Sequence, residues 1–542
     1  MASLPTDSLE SLSPTDLAGV VRGLIGEVER LRKENEKLIA ALGAAKRENE
    51  QLKDEIRRVK GLPPRPPVKP SGMEKATDRP APEGPSETNG SPRRRGPGVS
   101  KLSIDRTVTL TAPAGSRHKG YEEIIVQDIA FKPEVTLYRR ERWATPDGRT
   151  VTADLPAGVV GGCGPQLHRL VLVLHFHGQM TCERIVAVLT AAGVAISKRQ
   201  VVRLLTAKLD VFRAEEEAVF SAGLRASPFV SVDDTGARHA GRACYTTQFG
   251  SDRFTAFRTG PSKSRLAFLR NLLGGTARYA INAAAEAYMR AANLAHGVID
   301  ALMSADVLEF GCEAEWTAHL AALGLTELRV TPDPVRVASE GALWGAIAAE
   351  DRLGGAVILS DDAGQFHVGD HALCWVHAER LVYKLIPAND RQRSAVGVAR
   401  RMIWWFYRQL KAFKLASSPE RAEELRARFD RIFKRRTGYA TLDRLLKRLN
   451  ANKDELLRVL DRPDIPLNTN GSENDIRAVV TKRKVSGGTV SEKGRVARDV
   501  MLGLAKTCMK LKISFFHYLG ARLGIPGPEI PPLPSLIAPA PS

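Results

Sequence analysis

Residues 17–59 carry two apolar seams, and both stop where the prolines begin. One seam is Leu17, Leu24, Leu31, Leu38, Ala45 and Leu52. The other is Val21, Val28, Asn35, Leu42, Asn49 and Ile56. The spacings alternate between four and three, which keeps one stripe on one helix face. A lone helix of this kind is marginal in water, whereas a partner helix buries the stripe. The two Asn favour a fixed register and a low oligomer number. Residues 61–100 then hold ten prolines, the run Arg93-Arg94-Arg95 and almost no large apolar side chain. That is the composition of a flexible, partly extended tether. A chain divided this way cannot close around one core from first residue to last. The expected order is a coiled-coil oligomerisation helix (1–60), a Pro-rich linker (61–118), a folded body, and a Pro-rich tail (524–542).

Charge narrows what the body meets. Lys and Arg total 80 against 61 Asp and Glu, a net +19, and such an excess points to a polyanion, most simply nucleic acid. A membrane surface would need an anchor. The most apolar run, Leu170 to Leu174, is far short of the ~20 residues that span a bilayer. The start, MASLPTDSLESL, lacks a basic region followed by an apolar one. The cysteines (Cys163, Cys182, Cys244, Cys312, Cys374, Cys508) form no CxxC pair, which argues against a disulfide scaffold and fits a reducing compartment. The expectation is a cytoplasmic, nucleoid-associated protein that binds double-stranded DNA and no membrane.

Along the body, 119–162 reads as a small β module: IIVQDIAF, VTLYRRERWA, a turn at Pro146-Asp147-Gly148, then TVTADL. Residues 163–222 read as a helical DNA-binding segment. Within it a helix, a turn at Gly193, an N-cap candidate at Ser197 and a second helix make a helix-turn-helix pattern. Lys198, Arg199, Gln200 and Arg203 would be its groove readers, although a plain helical hairpin gives the same pattern. Residues 223–523 read as an α/β core. A β-meander spans 228–258, and a strand at 354–360 runs into Asp361-Asp362. Helical insertions are expected near 275–350 and 380–460. Within 391–450 there are 17 Lys or Arg against 5 Asp or Glu. The cluster Trp404-Trp405-Phe406-Tyr407 is read as helical core rather than a base-stacking platform.

Three acids stand out by context. Asp233 and Asp361 each follow a run of small, β-branched or aliphatic residues, and Glu473 opens a helix after the turn Asn468-Thr469-Asn470-Gly471. Adjacent strand residues face opposite ways, so Asp233 and Asp361 are chosen over Asp234 and Asp362. Carboxylates gathered like this suit Mg²⁺ or Mn²⁺, and a pair of such ions supports phosphodiester chemistry. Residues 475–512 add ten Lys or Arg against three acids, a surface suited to phosphates.

These segments resemble the insertion sequence 66 family of transposases. Asp233-Asp234-Thr235 is similar to that family's first catalytic strand, and LSDDAGQF to its second, with Asp361 five residues before Phe366. Cys374-Trp375-Val376-His377-Ala378-Glu379-Arg380 is similar to its Cys-Trp-x-His-x-x-Arg. Asn470-Gly471-Ser472-Glu473 through Arg477, followed by Lys482-Arg483-Lys484, is similar to its Asn-x-x-Glu-x-x-x-Arg and basic run. The resemblance implies an RNase H-like core with Asp233, Asp361 and Glu473 as a DDE triad holding two Mg²⁺ ions. It implies Arg477, Lys482, Arg483 and Lys484 on DNA, and Cys374, Trp375, His377 and Arg380 as a supporting motif. It further implies metal-dependent cleavage and strand transfer at the ends of an insertion sequence, by a homodimer or higher oligomer, with small companion proteins as further partners. The alternative is a catalytically inactive, domesticated DNA-binding protein on the same scaffold.

Zinc is not expected. Residues 119–162 hold no cysteine where many relatives carry a zinc ribbon. His367, His371, Cys374 and His377 have zinc-like spacings, but the last two belong to a motif whose residues pack or orient the acidic site.

Overall fold

The computed structural model describes residues 131–537 continuously, and before them 124–129, 104–110, Gly26, Glu29, Arg30, Lys33, Glu34 and Glu36. Most of the heptad seams and of the linker lie outside the described residues. The six early positions are helical, and Arg30 pairs with Glu34 one turn on. Two units are separable: residues 1–76 with 386–393, and residues 77–385 with 394–542.

The second unit is built on a five-stranded mixed sheet. Strands β3 (Phe229–His239), β4 (Arg242–Gly250) and β5 (Thr255–Gly260) form an antiparallel meander. Two short strands, β8 (Val357–Ser360) and β9 (His371–Leu373), add in parallel on the other side of β3, giving the order β5-β4-β3-β8-β9. β8 reads Val-Ile-Leu-Ser and is buried throughout, as a strand covered on both faces should be.

Helices enclose the sheet. α1 (Pro165–Leu172), α2 (Cys182–Ala191), α3 (Lys198–Thr206) and the long α4 (Leu209–Ala226) precede β3. α2 and α3 form the expected hairpin. Gly193 turns the chain at φ +84°, a conformation that suits glycine. Ser197 and Gln200 then cap α3 reciprocally. Between β5 and β8 come α5 (Arg265–Leu272), β6 (Tyr279–Ala280), α6 (Ala283–Ala291), α7 (His296–Met303), β7 (Glu309–Phe310), α8 (Glu313–Ala322) and α9 (Pro334–Ala349). The 275–350 stretch is thus helical with a two-stranded ribbon, β6 against β7, that sequence periodicity did not reveal. The ribbon rides directly on α9: a Cβ on Gly345 would lie 2.2 Å from the Ala280 carbonyl oxygen.

After β9 follow α10 (Trp375–Tyr383), α11 (Asp390–Leu415), α12 (Pro419–Phe433), α13 (Ala440–Ala451), α14 (Lys453–Leu456), α15 (Asn470–Ser486), α16 (Glu492–Lys510), α17 (Phe515–Leu523) and α18 (Leu533–Ile537). α15 lies against β3, and α16 runs along β5. Phe406 and Tyr407 are fully buried, and Phe406 packs on Trp375 at 5.3 Å between centroids, in keeping with the core reading.

The β module is smaller than expected. Only β1 (Arg142–Ala144) and β2 (Thr150–Thr152) form, a short hairpin around the Pro146-Asp147-Gly148 turn. Residues 124–129 and 131–141 are irregular, and Val126, Ile129, Val135 and Leu137 stand exposed. Apolar alternation makes a strand only where a partner supplies hydrogen bonds, and among the described residues no strand pairs with 124–129 or 131–140.

Candidate active site

The parallel register brings two aspartates level. β3 pairs with β8 through Phe229–Val357, Val230–Ile358 and Ser231–Leu359. Continued by two residues, that register sets Asp233 beside Asp361, where neighbouring strands lie about 4.8 Å apart. β3 does not end at Asp233 but runs on to His239, past the end of β8, paired with β4 and bridged at its last residues by Thr489. Asp233 therefore sits where β3 leaves β8, not at a strand terminus. Burial, then the Asp361 charge, pushes the Asp233 carboxyl up to about 7. The Asp361 charge beside it opposes ionisation of Asp233, and a cation between the two removes the conflict.

The neighbouring acids are engaged elsewhere. Asp234 accepts from Gln365 Nε2 at 2.7 Å. Asp362 has φ +78°; its carboxylate pairs with Arg448 and accepts from Asn452 Nδ2 at 3.1 Å. Burial opposes ionisation of Asp362, but His367, whose Nε2 stands 3.5 Å away, and the Arg448 charge outweigh it and hold its pKa down. Phe366 anchors the loop that carries Asp361. It is buried and meets Phe268 edge-on at 5.1 Å; Phe268 stacks on Phe249, and Phe249 meets Phe220 of α4.

Glu473 lies in the first turn of α15, and the 374–380 segment holds that turn. The Trp375 N–H donates to the Leu467 carbonyl at 3.0 Å, and the Thr469 N–H donates to Cys374 Sγ at 3.3 Å. His377 Nδ1 is 3.5 Å from Thr469 Oγ1, and its Nε2 is 3.6 Å from Glu473 Oε1. Arg380 binds both Glu473 oxygens, with Nη2 3.3 Å from Oε2. Burial favours the neutral Cys374 thiol, yet hydrogen bonding to His377 and Thr469 outweighs it and lowers the pKa. Against the same burial, Cys374 holds the His377 imidazole above its usual value. The Asp361 charge also acts on His377, so the motif spans both sides of the site.

The basic residues divide. Arg477 and Lys484 are exposed on α15, and Arg483 is half-buried. Lys482 is buried, and its Nζ donates to the carbonyls of His175 and Met180 at 2.8 and 2.9 Å. Burial pushes it down to about 8. It points inward because α15 packs one face on the core, so the expected DNA contact at Lys482 gives way to a structural one. Arg498 and Lys510 likewise serve internal pairs, with Asp499 and Asp475. In α3, Arg199 and Arg203 are exposed and Lys198 pairs with Glu183. Gln200 turns back to accept from the Ser197 N–H at 2.9 Å, so its amide is committed to the cap. Sequence reasoning missed Gln365 and Thr469 as partners of the acidic residues and their helix turn, because nothing local marks a residue whose role is a long-range contact.

Residues 348–497, from the end of α9 into α16, match the model of the family described as Transposase IS66 family. The chain is also 52% identical over 317 residues to the uncharacterized protein y4jO of Sinorhizobium fredii (strain NBRC 101917 / NGR234). That match takes in 58% of this chain and 98% of the relative. The chain belongs to the IS66 family of transposases. No helix among the described residues is long and apolar enough to cross a membrane.

Proposed function

We propose that the chain is an active DDE transposase that binds the ends of its element, cleaves there, and transfers the freed 3′ ends into target DNA. The observation that carries this reading is the level placement of Asp233 and Asp361, with the Glu473 helix turn pinned by Cys374, Trp375 and Arg380. The β5-β4-β3-β8-β9 order, three antiparallel strands extended by two parallel ones, supports an RNase H-like core. The donor set is all oxygen, and the mutual repulsion of its two aspartates fits a hard divalent cation. Two Mg²⁺ or Mn²⁺ ions held by Asp233, Asp361 and Glu473 would activate the attacking oxygen and offset charge developing on phosphorus.

The chain's own residues do the rest. Arg380 holds the Glu473 carboxylate until a cation competes for it. His377, between Glu473 and Thr469, keeps the α15 turn in place. Arg477 and Lys484 contact the DNA backbone near the acids, and Arg199 and Arg203 of α3 meet the element's ends. The N-terminal seams assemble two or more chains.

The test is cleavage of labelled DNA carrying the element's ends, with Mg²⁺, Mn²⁺ or chelator. Wild type should nick at the ends only with metal. Glu473→Gln should bind the ends with nearly unchanged affinity and not cleave. Loss of binding along with cleavage in Glu473→Gln would argue against this role for Glu473, and cleavage by that variant would remove it from the triad.

A further inference from the structure

The fold divides the four residues whose spacings resemble a zinc motif. Cys374 and His377 face Thr469 and Glu473, as described above. His367 and His371 meet each other instead, with ring centroids 4.4 Å apart. Glu455 of α14 joins them, and one donor atom from each of the three lies within 4.8 Å of the others.

Hydrogen bonding leaves this cluster incomplete. His371 is 5% exposed. Its Nε2 is 2.8 Å from Ser360 Oγ, while its Nδ1 is buried with no hydrogen-bond partner. His367 Nε2 is also buried without one; Asp362 Oδ1 lies 3.5 Å away. Buried polar atoms are normally satisfied, so two orphaned ring nitrogens beside a carboxylate call for an occupant.

We propose that His367, His371 and Glu455 form a zinc site, distinct from the acidic site, that fixes the loop between β8 and β9. Two imidazoles and a carboxylate are zinc donors, whereas the three acids of the other site suit magnesium. Ser360 accepting from His371 Nε2–H leaves Nδ1 free to ligate, the usual support behind a ligating histidine. Zinc ligands at 2.0–2.1 Å in a tetrahedron stand roughly 3.3 Å apart, so the side chains need only draw in. Asp362 Oδ1 is within reach of the fourth position. The nearby cations are already matched: Arg458 pairs with Asp370 at 2.9 Å, and Arg265 lies 3.8 Å from Glu340. A metal here ties α14 and the start of β9 to the loop that opens with Asp361. The proposal stands whether or not the acidic site cleaves DNA.

The test is zinc stoichiometry and affinity of the full chain, by metal analysis after gel filtration and by competition with a chromophoric chelator. Far-UV circular dichroism would check the fold of each variant. Wild type and Glu473→Gln should each retain one zinc per chain. His367→Gln and Glu455→Gln, both at half-buried positions, should lose affinity by about 10–100-fold or more, and Ser360→Ala by about 10–100-fold. Cobalt-loaded wild type should show the visible absorption of a four-coordinate site, absent from His367→Gln. Wild type that retains no zinc, or equal affinity in the His367 and Glu455 variants, overturns the proposal. So does loss of the zinc in Glu473→Gln alone, which would place the ion among the acids.

Discussion

With its carboxyl raised to about 7, folded Asp233 holds a proton that the unfolded chain, titrating near 3.8, has released. Between those values the folded state binds more protons, so this residue's contribution to stability falls as pH rises from about 4 to 7. In chelator, Asp233→Asn should therefore melt higher than wild type at pH 8, by about 2 °C or more, and the gap should close toward pH 4. Thermal melts across pH would show it; a gap constant with pH would mean Asp233 is not the strained group. Lys482 behaves in the opposite sense to a DNA contact. Lys482→Ala leaves two buried carbonyls unmet and should destabilise by about 1–3 kcal/mol, without changing the salt dependence of DNA binding. Lys484→Ala should leave stability alone and lower the slope of log affinity against log salt by about one. The paired aspartates were legible in the sequence because each follows a strand-forming run. Lys482 was not, because a basic tripeptide gives no hint of which member a helix turns inward.

Among the elements, the loop after β8 depends most on distant packing. Phe366 closes an aromatic series that passes through Phe268 and Phe249 to Phe220. Phe366→Ala should cost about 3–5 kcal/mol in urea unfolding. It should also lower the cleavage rate more than end binding, because the loop that opens with Asp361 loses its anchor. A loss of binding equal to the loss of rate would argue for a general collapse instead. The β-meander and the α2–α3 hairpin could be read from turn residues and caps, since Gly193, Ser197 and Gln200 act locally. β9, three residues long, could not: its strand state comes from β8 beside it, not from its own sequence. The 124–137 stretch failed for the complementary reason, having strand-like side chains but no neighbour among the described residues.

At the scale of the whole molecule, net charge overstates the surface available to DNA. Lys482, Arg498 and Lys510 count toward the +19 yet serve internal bonds. The mixed sheet could not be counted out in advance, because its parallel half is two short strands separated from β3 by about a hundred residues. The heptad seams predict that the full chain self-associates and that a chain starting at residue 119 does not. Sedimentation of both should give a dimer or larger species against a monomer, and equal sizes would remove the seams from assembly.

The three-residue pairing of β3 with β8 has a consequence for how this chain can change over generations. Everything between Gly260 and Val357 enters and leaves the sheet at fixed points, so that long excursion can gain or lose residues while the two aspartates stay side by side. One residue added or removed within Val357–Ser360 would turn Asp361 to the opposite face of the sheet. Length variation in descendants of this gene should accumulate in the loops of that excursion, away from Phe268 and the buried helix Pro334–Ala349, and be purged from four positions beside it.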